Sequence, residues 1–438
     1  LSLLTDRPTF RGGIHPPDSK LTRDSEIRDI PPTGSLVIPL SQHIGAPAEP
    51  VVEEGDRVKR GQKIGEAQGF VSSPVHASSS GEVTKIGKFR HPSGSEVRGV
   101  KIDLDGEDES VDFEENDPNS LSTENILEII QEAGIVGMGG AAFPTHVKLS
   151  PPEDKDIDTL VINGAECEPF LTADFRLMLE EPEQIVKGTR LIAEILDVDR
   201  IYFGIEDNKP EATEAIRDQT SEDIEVVELS TKYPQGWEKT LIKALTGREV
   251  PVDGLPLDIG VVVQNVATVN AIWDAVRYGK PLTERVITAT GTIKNPGNYR
   301  VRIGTTWENL IGQLGGLSGE RTAKLIDGGP MMGDTQPEQS TPIVKSTSGL
   351  LALSEEAAVK RDPEPCIRCG KCVDVCPANL LPTSIYKAVE SEDIDRAEEL
   401  NATACCECGS CTYVCPSEIP LVQWIVQGKG EIEKRKEE

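Results

Sequence analysis

No apolar run in this sequence approaches the roughly 20 residues that a membrane-spanning helix needs. No signal peptide is legible at its start either, so a soluble or membrane-peripheral chain is expected. Positive charge is in short supply: 45 Lys and Arg stand against 74 Asp and Glu in 438 residues, a formal charge of −29. Such a surface repels nucleic acid and anionic headgroups, which excludes a nucleic-acid partner. Histidine is scarce, and His15, His43, His76, His91 and His146 are too scattered to form a metal site. Cysteine is nearly missing from the first 360 residues, where Cys167 stands alone, and the other nine of the ten come after them. A disulfide-stapled secreted domain would spread its cysteines differently, so a reducing compartment is expected.

The late cysteines follow a rule. CIRCGKCVDVCP (366–377) and CCECGSCTYVCP (405–416) each read C-x2-C-x2-C-x3-C-P, the two-cluster bacterial ferredoxin spacing. Three cysteines at intervals of three place their thiolates on one tight loop around a cubane, while the fourth, before a proline, points to the other cluster. The spacing therefore assigns Cys366, Cys369, Cys372 and Cys415 to one [4Fe-4S] centre, and Cys405, Cys408, Cys411 and Cys376 to the second. Two zinc sites are the alternative, but zinc modules usually pair C-x2-C knuckles across a longer spacer without the third cysteine and the C-P. Cys406 is left as a bystander.

At about 100–200 residues per domain the length allows two to four domains, and the texture of the chain argues for four. Residues 1–34, with FRGGIHPP at 10–17, read as an extended arm. Short apolar runs punctuated by Gly-Asp, Gly-Gln and Ser-Ser-Gly turns make 35–105 an all-β module. Its GDRVKRGQ, PVHA and SGEV segments resemble a biotinyl or lipoyl barrel-sandwich. A carrier domain needs a lysine at its hairpin tip, here GFVSS (69–73), yet none lies between Lys63 and Lys85. The module is expected to dock or pack rather than swing. Nine acids and no base between Ile102 and Pro118 read as a solvated linker. A helix capped by Ser122 or Thr123 follows at 122–132. From 119 to 280 strand-like runs at 159–163, 201–205, 224–229 and 259–265 alternate with helical segments such as 183–196 and 210–219, the pattern of a parallel sheet covered on both faces. Ligands bind such sheets at the carboxyl ends of the strands. Residues 281–350 read as a β-grasp module, 354–426 as the cluster domain, and 427–438 as a frayed charged tail.

The loop GMGGAAFPTHVK (137–148) brings glycines that let a planar or phosphorylated ligand approach, and a lysine able to face phosphate. Taken alone, its Gly-x-Gly-x-x-Ala follows a helix rather than a strand, which is the wrong context for a dinucleotide fingerprint. Followed by VINGAECEP (161–169), YPQGWEKTLIKALTGR (233–248) and VQNVAT (263–268), however, it resembles the flavin site of the NADH-binding flavoprotein subunit of respiratory complex I. Together with the arm, the lysine-free barrel and the two ferredoxin motifs, nearly the whole chain resembles the RnfC family of Rnf electron-transport complexes. The fold class implied is multidomain α/β and α+β: a barrel-sandwich, a Rossmann-like α/β flavin domain, a β-grasp module of SLBB type and a ferredoxin-like helical domain with two [4Fe-4S] clusters.

The resemblance implies that Gly137, Gly139, Gly140 and Lys148 hold the phosphate and ribityl side of FMN, with Asn163, Glu166, Tyr233, Asn265 and Thr268 lining the rest. It places Phe143, Glu168 and Glu238 beside the nicotinamide nucleotide. Met138, Ala165, Trp237 and Pro151 depart from the complex I pattern. Three glutamates without an arginine in these motifs should disfavour the 2′-phosphate of NADPH. The implied activity is electron exchange between NAD(H), FMN and two clusters, in a peripheral subunit on the cytoplasmic side of a membrane complex that oxidises or reduces ferredoxin and moves Na+ or H+. A cobalamin-reductase-like flavin and iron–sulfur enzyme of microcompartments, and a non-catalytic electron-wire and docking subunit, are the alternatives. Cys167 reads as a small packing residue in a tight turn, and His146 as a shape element.

Overall fold

The computed structural model describes residues 7–319, 321–358 and 362–437. Residues 1–6 of the expected arm and residue 438 of the expected tail lie outside them. Alternating apolar residues build the barrel from two antiparallel sheets. Ser35–Pro39, Glu96–Leu104, Gly81–Arg90 and Arg57–Val58 form one, and Glu49–Pro50, Lys63–Glu66 and Val75–His76 the other. Leu36, Ile38, Ile64, Val83, Val100 and Ile102 fill the space between them, each contributing about 1.5–3 kcal/mol by leaving water.

The acidic linker is more than solvated loop. Arg60 and Val111 exchange backbone hydrogen bonds with Glu109 and Arg60, and Asp108 pairs with Arg60 at 3.0 Å and Arg302 at 2.9 Å. The linker thereby straps the barrel to the sheet that carries Arg302. Ser122 caps the helix Thr123–Glu132 by accepting from the Asn125 amide.

Four parallel strands follow in the order Glu225–Leu229, Arg200–Glu206, Thr159–Gly164 and Val261–Asn265. Numbered along the chain this is 3-2-1-4, a doubly wound sheet whose order reverses between the first and fourth strands. Helices Pro182–Leu196 and Val266–Tyr278 cover one face and Glu238–Thr246 the other, which is why Leu160, Val161 and Ile162 are all buried.

The β-grasp region is a six-stranded sheet, ordered Ile27–Asp29, Gly297–Arg302, Glu284–Gly291, Gly349–Ser354, Thr322–Asp327 and Asp334–Gln336, with Trp307–Gln313 packed on it. Two of its strands come from outside the expected run of sequence. The arm supplies the edge strand Ile27–Asp29, and Gly349–Ser354 lies in the middle of the sheet. In the cluster domain Pro382–Glu390 packs on the long helix Leu421–Glu437. The segment expected to fray therefore continues that helix through residue 437. Arg435 and Asp395 pair at 2.8 Å, tying its end to the neighbouring helix Ile394–Glu399. No helix among the described residues is long and apolar enough to cross a membrane.

Candidate functional site

At the point where the sheet order reverses, Asn163 and Asn265 end neighbouring strands and stand opposite each other in register. Open α/β sheets bind ligands in the crevice outside such a reversal. The glycine loop lies over it. A Cβ on Gly139 would come 2.8 Å from the Asn265 Cβ, whereas one on Gly140 would meet nothing within 4 Å. Gly139 is thus required by close approach rather than by its backbone angles, and the left-handed residue of the loop is Ala142, with φ of 51°.

Three contacts fix the loop. The Met138 amide donates to Thr268 Oγ1 at 2.9 Å, the Gly137 amide donates to the Phe143 carbonyl at 2.9 Å, and Arg285 Nη2 donates to the Met138 carbonyl at 2.6 Å. Among the described residues nothing accepts from the Gly139, Gly140 or Ala141 amides, and all three residues are exposed. Successive free amides on a loop over the switch point form an anion-binding concavity, which fits the phosphate of FMN. Lys148 ends the one-turn helix Thr145–Lys148, 3.8 Å from Glu238, which opens the helix Glu238–Thr246. Desolvation lowers the pKa of the Lys148 ammonium and Glu238 opposes the shift.

Several residues expected to face ligand hold the walls instead. Thr268 is fully buried beneath the loop. Asn163 Nδ2 donates to the Gly236 carbonyl, while its Oδ1 accepts from Ala165. Asn265 caps the helix Val266–Tyr278 and donates to Asp174 at 2.7 Å. Glu166 accepts from the Asp174 and Phe175 amides at the start of the helix Ala173–Glu180. Glu168 points at another domain, accepting from Met331 and Met332 at 3.1 and 2.8 Å. Burial pushes its carboxyl up to about 7. Cys167 Sγ accepts from the Gly236 amide at 3.2 Å, a packing contact. Tyr233 is 1% exposed, and its hydroxyl donates to the Cys408 carbonyl at 2.9 Å.

The turn bearing Glu166, Cys167 and Glu168 is clamped by two lysines that sequence reasoning missed. Lys20 of the arm donates to the Glu166 and Glu168 carbonyls, both at 2.9 Å, and also to Leu171. Lys209 donates to the Ala165 carbonyl at 2.6 Å and to Glu206 at 3.0 Å. Burial lowers the pKa of Lys20, with Glu166 opposing, and raises that of Glu166, with Lys20 opposing. Neither lysine stands in a recognisable motif, because the pairing of Lys20 with this turn spans more than 140 residues of sequence.

The two cysteine motifs fold alike. Arg368 and Glu407, each two residues past the first cysteine, are left-handed with φ of 58° and 61°; Gly370 and Gly409 follow at 79° and 73°. The Arg368 and Glu407 amides donate to Cys366 and Cys405 Sγ, both at 3.4 Å. Among the described residues no three His, Cys, Asp or Glu side chains gather closely enough to hold a single metal ion. Cys366, Cys369, Cys372 and Cys415 instead wall one cavity together with Thr383 and Ile419. Four thiols around a common cavity, with amides aimed at sulfur, suit a cluster.

The arm joins the two centres. Its Gly13 amide donates to the Val375 carbonyl at 2.8 Å, and Ile14 exchanges hydrogen bonds with Tyr233 at 2.8 and 2.9 Å. A Cβ on Gly12 would press on the Cys376 carbonyl at 3.0 Å, and one on Gly13 on the Tyr233 carbonyl at 2.7 Å; both glycines are left-handed. FRGGIHPP is therefore a splice between the α/β domain and Cys376. Cys408 is buried at this junction with Tyr233 and Ile14, while Cys369 is exposed on the far loop.

Four family models match the chain in order: the RnfC barrel sandwich hybrid domain at 8–107, the Nuo51 FMN-binding domain at 130–274, the SLBB domain at 286–335 and the 4Fe-4S dicluster domain at 358–416. The RnfC-type component of the proton-translocating ferredoxin:NAD(+) oxidoreductase complex of Clostridium ljungdahlii is 48% identical over 89% of this chain and 86% of its own. Its counterpart in the Na(+)-translocating complex of Acetobacterium woodii is 46% identical over 90% of each. The counterpart in the ion-translocating oxidoreductase complex of Rhodobacter capsulatus is 43% identical over 98% of this chain and 84% of its own. Among solved structures, an NAD+-reducing [NiFe]-hydrogenase in the H2-reduced state aligns at a TM-score of 0.48 and 20% identity, over 71% of this chain and 63% of that one, too loosely to carry an argument. The extent of identity with these three relatives, across the arm, barrel, flavin, SLBB and dicluster regions, makes the chain a member of the RnfC family of ion-translocating ferredoxin:NAD+ oxidoreductase complexes.

Proposed function

We propose that the chain exchanges electrons between NAD(H) and an FMN seated at the Asn163–Asn265 switch point, and passes them singly through two [4Fe-4S] clusters. It is an oxidoreductase subunit of a ferredoxin:NAD+ oxidoreductase complex, with flavin and iron–sulfur cofactors. A hydride carries two electrons and a cluster takes one; the flavin supplies the conversion between them. The observation that carries the site is the glycine loop lying over Asn265 with three free amides. Lys148 faces the phosphate in this reading, and Phe143 and Glu238 border the nucleotide. Glu168 becomes a tie to the SLBB region rather than a nucleotide contact.

The junction sets an order for the relay. The centre of Cys405, Cys408, Cys411 and Cys376 adjoins the flavin domain through Tyr233 and Gly12. The centre of Cys366, Cys369, Cys372 and Cys415 faces outward, to another protein of the complex. That partner would exchange electrons with ferredoxin, the complex would lie at the membrane, and this chain would occupy its cytoplasmic side. Relatives named for H+ and for Na+ lie at 48% and 46% identity, so likeness to them does not select the coupling ion. Anaerobic mixing of the full chain with NADH tests the reading. NADH should bleach the flavin and NADPH should do so far more slowly. A chain loaded with FMN and clusters that ignores NADH would be the electron wire instead.

A further inference from the structure

The barrel has the shape of a carrier domain and no lysine with which to carry. Its hairpin tip is not free to swing. Ala46 donates to the Val71 carbonyl at 3.0 Å, Ser72 Oγ to the Ala46 carbonyl at 2.8 Å, and the Ser73 amide to His43 Nε2 at 2.9 Å. A Cβ on Gly45 would fall 2.1 Å from the Val71 carbonyl, so the two tip loops lie one against the other. This rigid tip docks beside the glycine loop: the Ile44 amide donates to the Ala142 carbonyl at 3.4 Å, and His146 Nε2 donates to the Phe70 carbonyl at 3.1 Å. The His146 ring meets the Phe70 ring edge to face, with centroids 6.0 Å apart.

The docking leaves Phe70 62% exposed and Ile44 51% exposed, on the side of Ala142 where Gly139, Gly140 and Ala141 are also exposed. An open aromatic ring held on a fixed loop, next to amides suited to phosphate, presents a stacking face for a base at little ordering cost. Phe143 on the glycine loop is half-buried and its carbonyl is already bonded to Gly137, so the freer aromatic surface comes from the barrel. We propose that Phe70 stacks on the adenine of the nicotinamide nucleotide, making the barrel tip a wall of the nucleotide cleft. This rests on the NAD(H) reading above and extends it to a domain that the flavin motifs do not include.

The test uses the full chain, loaded with FMN and clusters, as wild type, Phe70→Ala and Phe70→Trp. Calorimetric binding of ADP-ribose reports the adenine half, and flavin bleaching by reduced nicotinamide mononucleotide reports the other half. Phe70→Ala should weaken ADP-ribose about tenfold, Phe70→Trp should hold it at least as well as wild type, and mononucleotide bleaching and FMN content should not change. An ADP-ribose affinity indifferent to both substitutions, in a wild type that NADH bleaches, overturns the stacking role alone and leaves Phe70 for a partner protein to cover. A wild type that neither binds ADP-ribose nor responds to NADH removes the nucleotide site itself, and this proposal with it.

Discussion

The Tyr233 hydroxyl donates to the Cys408 carbonyl at 2.9 Å, across 175 residues of sequence, with both residues buried. It is a direct bond between a flavin-domain motif and a cluster loop. Tyr233→Phe leaves that carbonyl without a partner, at a cost of about 1–3 kcal/mol. The expected outcome is full FMN and iron content, a lowered unfolding midpoint, and electron exchange between flavin and clusters slowed at least severalfold in stopped-flow. Unchanged exchange rates with the same loss of stability would show that this contact only docks the domains.

Gly139 and Gly140 separate close approach from open space. Gly139→Ala drives a methyl into Asn265 and should lower FMN affinity by about tenfold or more, together with the stability of the flavin-free chain, since overpacking typically costs about 1–3 kcal/mol. Gly140→Ala, with nothing near its Cβ, should leave flavin-free stability within about 0.5 kcal/mol of wild type. Fluorescence titration with FMN and thermal melts of both variants check this.

Lys148→Ala should weaken FMN and leave riboflavin, which lacks the phosphate, nearly untouched. Glu238 stands 3.8 Å away, so Glu238→Gln should not copy the effect. Equal loss of both ligands in Lys148→Ala would assign the lysine to folding.

Glu168 gives a pH signature. Its carboxyl is raised to about 7, chiefly by burial, with the Met331 and Met332 amides and Lys20 opposing and Cys408 adding to the rise. Between the ordinary carboxyl range and 7 the folded chain keeps a proton that the unfolded chain releases. This contribution is therefore fully present at low pH and is lost as pH rises through about 7. Glu168→Gln should flatten the fall in unfolding midpoint between about pH 5 and 8. A slope identical to wild type would contradict the assignment.

Cysteine spacing, the barrel's turn rhythm and the parallel strands were legible because each is local: a repeat, a period or a bounded apolar run. The alternating strand and helix texture was enough to place Asn163 and Asn265 at strand ends. What escaped depends on distant partners. FRGGIHPP looked like an extended arm because the reason for its glycines, the carbonyls of Cys376 and Tyr233, lies more than 200 residues away. Gly349–Ser354 is short and fills a slot between strands from two other segments. The charged end of the chain forms helix because Arg435 and Lys436 pair with Asp395 and Glu398 on a neighbouring helix. The resemblance named Glu168 and Tyr233 for the site, but their hydrogen bonds run outward to the SLBB and cluster regions.

Cys376 and Cys415 sit last in their motifs, and the interleaved assignment gives each to the other motif's cluster. Cys376→Ser should damage the centre next to Tyr233 and strand the outer one, which chemical reductant would still reduce but NAD+ would no longer reoxidise. Cys415→Ser should damage the outer centre and leave exchange between the inner one and the flavin. Paramagnetic resonance of both variants distinguishes the centres, and reversed losses would undo the assignment.

The most direct test of the two-to-one electron conversion starts from the reduced chain. The wild type, with both clusters reduced anaerobically and excess reductant removed, is mixed with NAD+ while cluster resonance and NADH absorbance are followed together. One NADH should form for every two electrons that leave the clusters, and Cys376→Ser should form little. Clusters that stay reduced beside NAD+, or that reoxidise without forming NADH, would contradict it.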